Sequence, residues 1–138
     1  MRHLFMLPDP CGAGEPHSSG FAPEVHFSCV RIDGGDDGVR LIAFGEIDLA
    51  TAGELARELC QAQTDARTVT LDLRRLDFMD CSGLAVLAAA ADRASAGGDR
   101  FRVVRGSPVV DRLFTLTGLE HRFEMTSGAA DPGSAQSL

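Results

Sequence analysis

Leu76-Asp77-Phe78-Met79-Asp80-Cys81-Ser82-Gly83-Leu84-Ala85-Val86-Leu87 is the stretch that decides how this chain folds. Just upstream, Val69, Leu71 and Leu73 alternate with Thr70 and Asp72, the two-residue period of a strand. Downstream, Leu84, Leu87, Ala88 and Ala91 recur at helical spacing. The reading is a strand over residues 68–73 that runs through Asp77 into a tight turn. A helix over residues 82–96 follows, closed by Gly97-Gly98. Ser82 stands at the junction. A hydroxyl there is exposed, lies near unpaired backbone amides and faces the positive end of a helix dipole, so a phosphate can be accommodated on it. Ser82 is therefore the first candidate functional residue.

Strand and helix keep alternating outward from this junction. Val25-His26-Phe27-Ser28-Cys29-Val30 alternates as a first strand, and Asp33-Gly34-Gly35-Asp36-Asp37-Gly38 is a turn cluster that returns the chain antiparallel along residues 39–47. Thr51 followed by Glu54 predicts a capping box, opening a helix with Ala52, Leu55, Ala56 and Leu59 on one face. Phe101-Arg102-Val103-Val104 reads as a short strand. Ser107-Pro108 then starts a third helix, with Val109, Val110, Leu113, Phe114 and Leu116 as its apolar stripe and Gly118 as its end. Residues 119–125 add an edge strand or a short helix. This order predicts an α/β fold: a mixed four- to five-stranded sheet with helices packed on it, parallel through the crossovers and antiparallel in the opening hairpin. The Pro-, Gly- and Ser-bearing ends predict a flexible arm over residues 1–23 and a flexible tail over 127–138, with a single domain at 24–126.

Composition narrows the function classes. With 138 residues and 44% apolar content, the chain suits one core. A net charge of −7 argues against direct nucleic-acid binding and against anionic membranes, both of which need concentrated Lys and Arg. The strongly apolar run from residue 84 to 91 is too short to cross a bilayer. The opening residues hold only a brief apolar centre before Pro8, so the expectation is a soluble, cytoplasmic protein and, by default, a monomer. Cys11, Cys29, Cys60 and Cys81 are widely spaced, with no metal-ligand spacing. They read as reduced thiols, with Cys81 open to a redox role through its place at a helix start. No metal or cofactor is expected.

Gly45-Glu46-Ile47-Asp48, then a helix, then Leu76-Asp77-Phe78-Met79-Asp80-Cys81-Ser82-Gly83-Leu84, then Gly97-Gly98, then Ser107-Pro108-Val109-Val110-Asp111-Arg112-Leu113-Phe114, then Thr117-Gly118-Leu119 resembles the STAS domain, most closely that of bacterial anti-sigma factor antagonists. The resemblance covers residues 25–123. It implies binding, in the unphosphorylated state, to an anti-sigma factor that is also a serine/threonine kinase, which frees a sigma factor. It further implies release on phosphorylation of Ser82, reversed by a metal-dependent phosphatase. Asp80 matches the family's turn aspartate and Asp48 the aspartate of its Gly-Glu-apolar-Asp motif, so Asp48, Asp80, Cys81, Ser82 and Gly83 are the candidate partner-binding residues. Cys81 departs from the family's usual serine at that place.

Local chemistry agrees with a substrate serine rather than a catalytic one. Neither His3, His17, His26 nor His121 has a sequence relation to Ser82 that makes it a general base, and the Gly-x-Ser-x-Gly frame of a hydrolase is missing. The ATP, Mg²⁺ and base would come from the partner. Gly83 has two readings: close approach by a partner, or easing of a tight turn. Asp80 and Asp48 likewise read either as helix caps or as contacts. Other functions left open are a STAS module sensing a nucleotide or small anionic ligand at the helix N-terminus, an enzyme using Cys81 or Ser82, and a scaffold in a stress-signalling complex.

Overall fold

The structure, a computed structural model, describes residues 27–34 and 38–127. The predicted arm and most of the predicted tail lie outside them, as do Cys11, His3, His17 and His26. Strands β1 (Phe27–Asp33) and β2 (Gly38–Ile47) form the expected antiparallel hairpin, with Phe27 opposite Gly45 and Asp33 opposite Val39. Of the first strand expected over residues 25–30, residues 27–30 are described and lie in β1, which continues to Asp33. Helix α1 (Ala52–Asp65) leads to β3 (Thr68–Asp72), and helix α2 (Cys81–Gly97) leads to β5 (Arg100–Val104). Helix α3 (Pro108–Thr117), a 3₁₀ turn (Leu119–Arg122) and β6 (Glu124–Thr126) complete the chain, so residues 119–125 supply both alternatives.

The sheet is mixed, as predicted, but has six strands in the order β1-β2-β3-β5-β6, the sixth being β4 (Leu76–Met79), which also pairs with β2. Sequence reading took residues 76–79 for the approach to a turn. Four residues with Leu76 and Met79 buried and Asp77 and Phe78 exposed show no two-residue period to detect. The long strand β2 is shared: residues 38–42 pair in parallel with β3, and residues 45–47 pair in parallel with β4. The change of partner falls between Ile42 and Gly45; the β4 pairing then shifts register between Gly45 and Glu46, and Gly45 has φ of 91°. A side chain at that φ is strained, which is the physical reason for the first glycine of the Gly-Glu-Ile-Asp motif.

Alternation decides which side is covered. Val39, Leu41, Ala43 and Ile47 of β2, with Val69, Leu71 and Leu73 at β3, join the helical residues Leu55, Leu59, Leu84, Leu87, Val110 and Phe114 in one apolar core. All four residues predicted for the α1 face are buried. In α2 the buried residues are Gly83, Leu84, Leu87, Ala90 and Ala94, while Ala88 and Ala91 sit at the margin. The predicted α3 stripe divides: Val110 and Phe114 are buried, Leu113 is half-buried, and Val109 and Leu116 are exposed. Phe123 closes the core with edge-on contacts to Phe101 and Phe114.

Among the described residues, one carboxylate is buried. Asp72, 2% exposed, accepts from Arg40 Nη2 at 3.0 Å, Arg74 Nη2 at 2.7 Å and the Arg74 amide at 2.9 Å. Burial alone would raise its pKa, but the hydrogen bonds from Arg74 and Arg40 outweigh it and hold the carboxyl below its ordinary range. This cluster pins the turn from β3 to β4, and so the approach to Ser82.

Candidate functional site

Strands β2 and β4 end side by side, with Ile47 opposite Met79 and the Asp80 amide donating to the Ile47 carbonyl at 3.1 Å. The following residues, Asp48 and Asp80, therefore emerge together at the C-terminal ends of two parallel strands, where open α/β sheets expose their binding groups. Helix α2 begins there. Its cap is Asp80, whose Oδ1 accepts from the Ser82 amide at 2.8 Å and the Gly83 amide at 3.4 Å. The Ser82 hydroxyl donates to the same oxygen at 2.5 Å.

This geometry corrects two expectations. The Ser82 and Gly83 amides are not unpaired, because the Asp80 carboxylate already occupies them. Ser82 also has an oxygen base in contact, which inspection of the histidines alone did not reveal. That base is weak. The Ser82 hydroxyl first, and then the Ser82 and Gly83 amides, hold the Asp80 carboxyl below the ordinary carboxylate range, with burial opposing them. A carboxylate so stabilised is a poor proton acceptor near neutral pH. His121, the one histidine among the described residues, sits exposed beside Glu120 in the 3₁₀ turn.

Asp48 holds the turn into α1. Its Oδ1 accepts from the Ala50 amide at 3.0 Å and the Thr51 amide at 3.2 Å. The capping box expected from Thr51 and Glu54 does not form: Thr51 makes no side-chain cap, and its hydroxyl donates to the Glu46 carbonyl at 3.0 Å instead. Thr51 still holds the N-cap position of α1, and its carbonyl accepts from the Glu54 amide at 3.0 Å. The result is a rigid turn that leaves Leu49 82% exposed, a residue the sequence reading did not single out.

Gly83 resolves in favour of the fold. It is buried, and a Cβ there would meet Met79 Cγ at 2.6 Å, Ile47 Cγ2 at 2.7 Å and Met79 Sδ at 2.9 Å. The missing side chain lets α2 seat on β2 and β4; it faces inward, away from any partner. Ser82 is half-buried, and Cys81 is an exposed free thiol. Of the four cysteines read as reduced, Cys60 is disulfide-bonded, and chain spacing gives no hint of that. Cys29 is a free thiol pushed up to about 12 by burial and by the nearby charge of Glu58. Among the described residues, no three of His, Cys, Asp and Glu are grouped to hold a metal ion, and no helix is long and apolar enough to cross a membrane.

Comparison with known proteins agrees with this architecture. The family model described as "Mlab, STAS domain" matches residues 30–127. The anti-sigma-F factor antagonist RsfB of Mycobacterium tuberculosis is 32% identical over 97 residues, covering 69% of this chain and 79% of RsfB. The anti-sigma-F factor antagonist RsfA of the same organism is 35% identical over 86 residues, covering 60% of this chain and 67% of RsfA. The crystal structure of an anti-sigma factor antagonist from Mycobacterium paratuberculosis superposes with a TM-score of 0.69 at 26% identity, over 81% of this chain and 95% of that one. With the sheet order, the Gly45 bulge and the Asp80-capped helix in place, the chain belongs to the STAS domain family of bacterial anti-sigma factor antagonists.

Proposed function

We propose that this protein binds a cytoplasmic anti-sigma factor of the serine/threonine kinase type, and that phosphorylation of Ser82 ends the complex. The observation that carries the reading is the Ser82 hydroxyl, half-buried at the first turn of α2 and bonded to Asp80 Oδ1 at 2.5 Å. Asp48, Leu49, Asp80 and Cys81 surround the ends of β2 and β4 and supply the rest of the contact surface. Gly83 acts beneath it through packing.

The same hydrogen bond gives the switch a mechanism. Phosphorylation removes the hydroxyl proton, so Ser82 can no longer donate to Asp80. It also adds about −1.5 to −2 charges and three acceptor oxygens. Two unit charges ~4 Å apart at an effective dielectric of about 20 repel by about 4 kcal/mol. The Asp80 carboxylate therefore turns away, and the phosphate takes over the Ser82 and Gly83 amides that it had capped. One anion replaces another at the helix N-terminus, and the fold stays intact. At the surface, a neutral hydroxyl becomes a dianion beside Asp48 and Asp80. A partner that had closed over Ser82 must then desolvate that charge, at a cost of several kcal/mol, enough to lower affinity by orders of magnitude. A metal-dependent serine phosphatase resets the site.

The occupied amides also weigh against a resident small-anion site, since a nucleotide phosphate would have to displace Asp80 without the covalent link that phosphorylation supplies. The test is incubation with ATPase-type anti-sigma kinases and ATP, followed by mapping of phosphate by mass spectrometry. Ser82→Ala is expected to abolish labelling and keep binding, while Ser82→Glu weakens binding at least tenfold. Equal labelling of the alanine variant refutes the assignment.

A further inference from the structure

Helices α1, α2 and α3 all bury their apolar residues against one side of the sheet, the side of Val39, Leu41, Val69, Leu71, Phe101 and Val103. The opposite side carries no helix among the described residues. Parallel strands are ordinarily covered on both faces, so the uncovered side of β2, β3, β5 and β6 is the natural place for a further element. Register sets what this side presents. Ile32, Arg40, Thr70, Arg102 and Glu124 stand in one row across β1, β2, β3, β5 and β6. One row on, Val30 lies opposite Ile42. Val30 and Ile32 are 46% and 45% exposed.

The face is thus apolar at β1 and basic toward β5. Asp72 Oδ2 meets Arg40 Nη2 at 3.0 Å and Arg74 Nη2 at 2.7 Å, while Glu124 Oε2 meets Arg100 Nη2 at 2.5 Å and Arg102 Nε at 3.3 Å. Each carboxylate is shared by two guanidiniums, so these residues carry a net positive charge on a chain whose own net charge is −7. Arg102 Nε is also a buried donor without a hydrogen bond, a costly state that an incoming carboxylate relieves by drawing the guanidinium outward. We propose that this face docks an amphipathic helix of a partner protein, its apolar stripe over Val30, Ile32 and Ile42 and an acidic flank over Arg100 and Arg102. Three inter-strand steps separate β1 from β5, about 14 Å, and a helix with its side chains is about 10–12 Å across, so one helix covers both halves. The charge selects an acidic helix over a basic one. The exposed apolar half offers nothing to a phosphate backbone, which counts against nucleic acid. This docking does not depend on Ser82 being a phosphoacceptor.

The experiment titrates the full chain with a synthetic helical peptide of about three heptads, leucine on one face and glutamate on both flanks. Fluorescence anisotropy of the labelled peptide gives the affinity, and amide shifts of the isotope-labelled protein give the place. A Kd of about 10–100 µM is expected, as suits a single helix on a preformed face. It should weaken at least about fivefold between about 0.05 and about 0.5 M NaCl. The shifts should fall on β1, β2 and β5. Ile32→Glu at the apolar end and Arg100→Glu at the basic end, both at exposed positions, should each weaken binding at least about fivefold. Leu116→Glu, the same added charge on the exposed side of α3, should leave it within about twofold. No binding at about 1 mM peptide, equal affinity for the peptide with lysine in place of glutamate, or shifts centred on Ser82 would each overturn the proposal. So would tighter binding of a single-stranded oligonucleotide, or a dimer in sedimentation that Ile32→Glu abolishes, since the face would then belong to nucleic acid or to a second copy.

Discussion

Replacing Gly83 by alanine separates a glycine required by packing from one required by a partner. The added methyl would lie at 2.6 and 2.9 Å from Met79 Cγ and Sδ and at 2.7 Å from Ile47 Cγ2. All three are well inside the ordinary contact distance of a methyl carbon with carbon or sulfur. The Met79 chain can swing aside at modest cost, but Ile47 is β-branched and fully buried, so its methyl cannot yield without moving β2. Overpacking of this kind costs about 1–3 kcal/mol. Alanine is the better helix former, by up to about 1 kcal/mol, which offsets part of that loss. The expected net effect is a destabilisation of about 0.5–2 kcal/mol. Gly83→Val lacks the helix gain and adds two more methyls, so its loss should exceed 3 kcal/mol by the same estimate. Urea unfolding gives the measurement, and for a domain of this size a loss of 1 kcal/mol lowers Tm by about 4–8 °C. Trimming the neighbour provides a cycle: Met79→Ala should cost less in the Gly83→Ala background than alone, with a coupling of about 0.5–2 kcal/mol. A Gly83→Ala variant as stable as the parent or more so, with no coupling to Met79, would refute the packing argument.

Other perturbations test separate parts of the structure. Asp80→Ala removes the α2 cap and should cost about 1–2 kcal/mol in urea unfolding, whereas Asp80→Asn, which still accepts from the amides, should cost less than half of that. Asp72→Ala strands two arginines around a buried site; because both reach solvent in part, about 1–3 kcal/mol is expected rather than the larger loss of a fully buried pair. Asp72 and Asp80 both have lowered carboxyl pKa values in the folded state, so the stability they contribute is complete above their unfolded values near 4 and is lost as pH falls through the folded ones. Tm should therefore drop steeply on acidification below pH 4, and less steeply in an Asp72→Asn/Asp80→Asn double variant. Timed alkylation of native, reduced protein at pH 8 should label exposed Cys81 well before Cys29, whose thiol is pushed up to about 12; equal rates would contradict the burial of Cys29.

Much of this molecule is local, and what is local was readable. The hairpin, the three helices, the Ser107-Pro108 start and the Gly98 and Gly118 ends follow from side-chain period, caps and glycine placement, which act over a few residues. The motif residues identified the family and placed Ser82 at a helix start for the same reason. Strand β4 escaped because pairing with β2 across a register shift, and not its own four residues, makes it a strand. Thr51 stands at the N-cap of α1 as its sequence predicts, but the backbone path turns its hydroxyl to the Glu46 carbonyl, so the capping box does not form. The two readings of Gly83 could be parted only by the positions of Met79 and Ile47, which come from different strands. The bond from Asp80 to the Ser82 hydroxyl and the bonded state of Cys60 belong to the same class. Backbone preference and hydrophobic period are written residue by residue; which side chains meet across elements is set by packing the whole chain into one core, and that is where the chemistry of the site was decided.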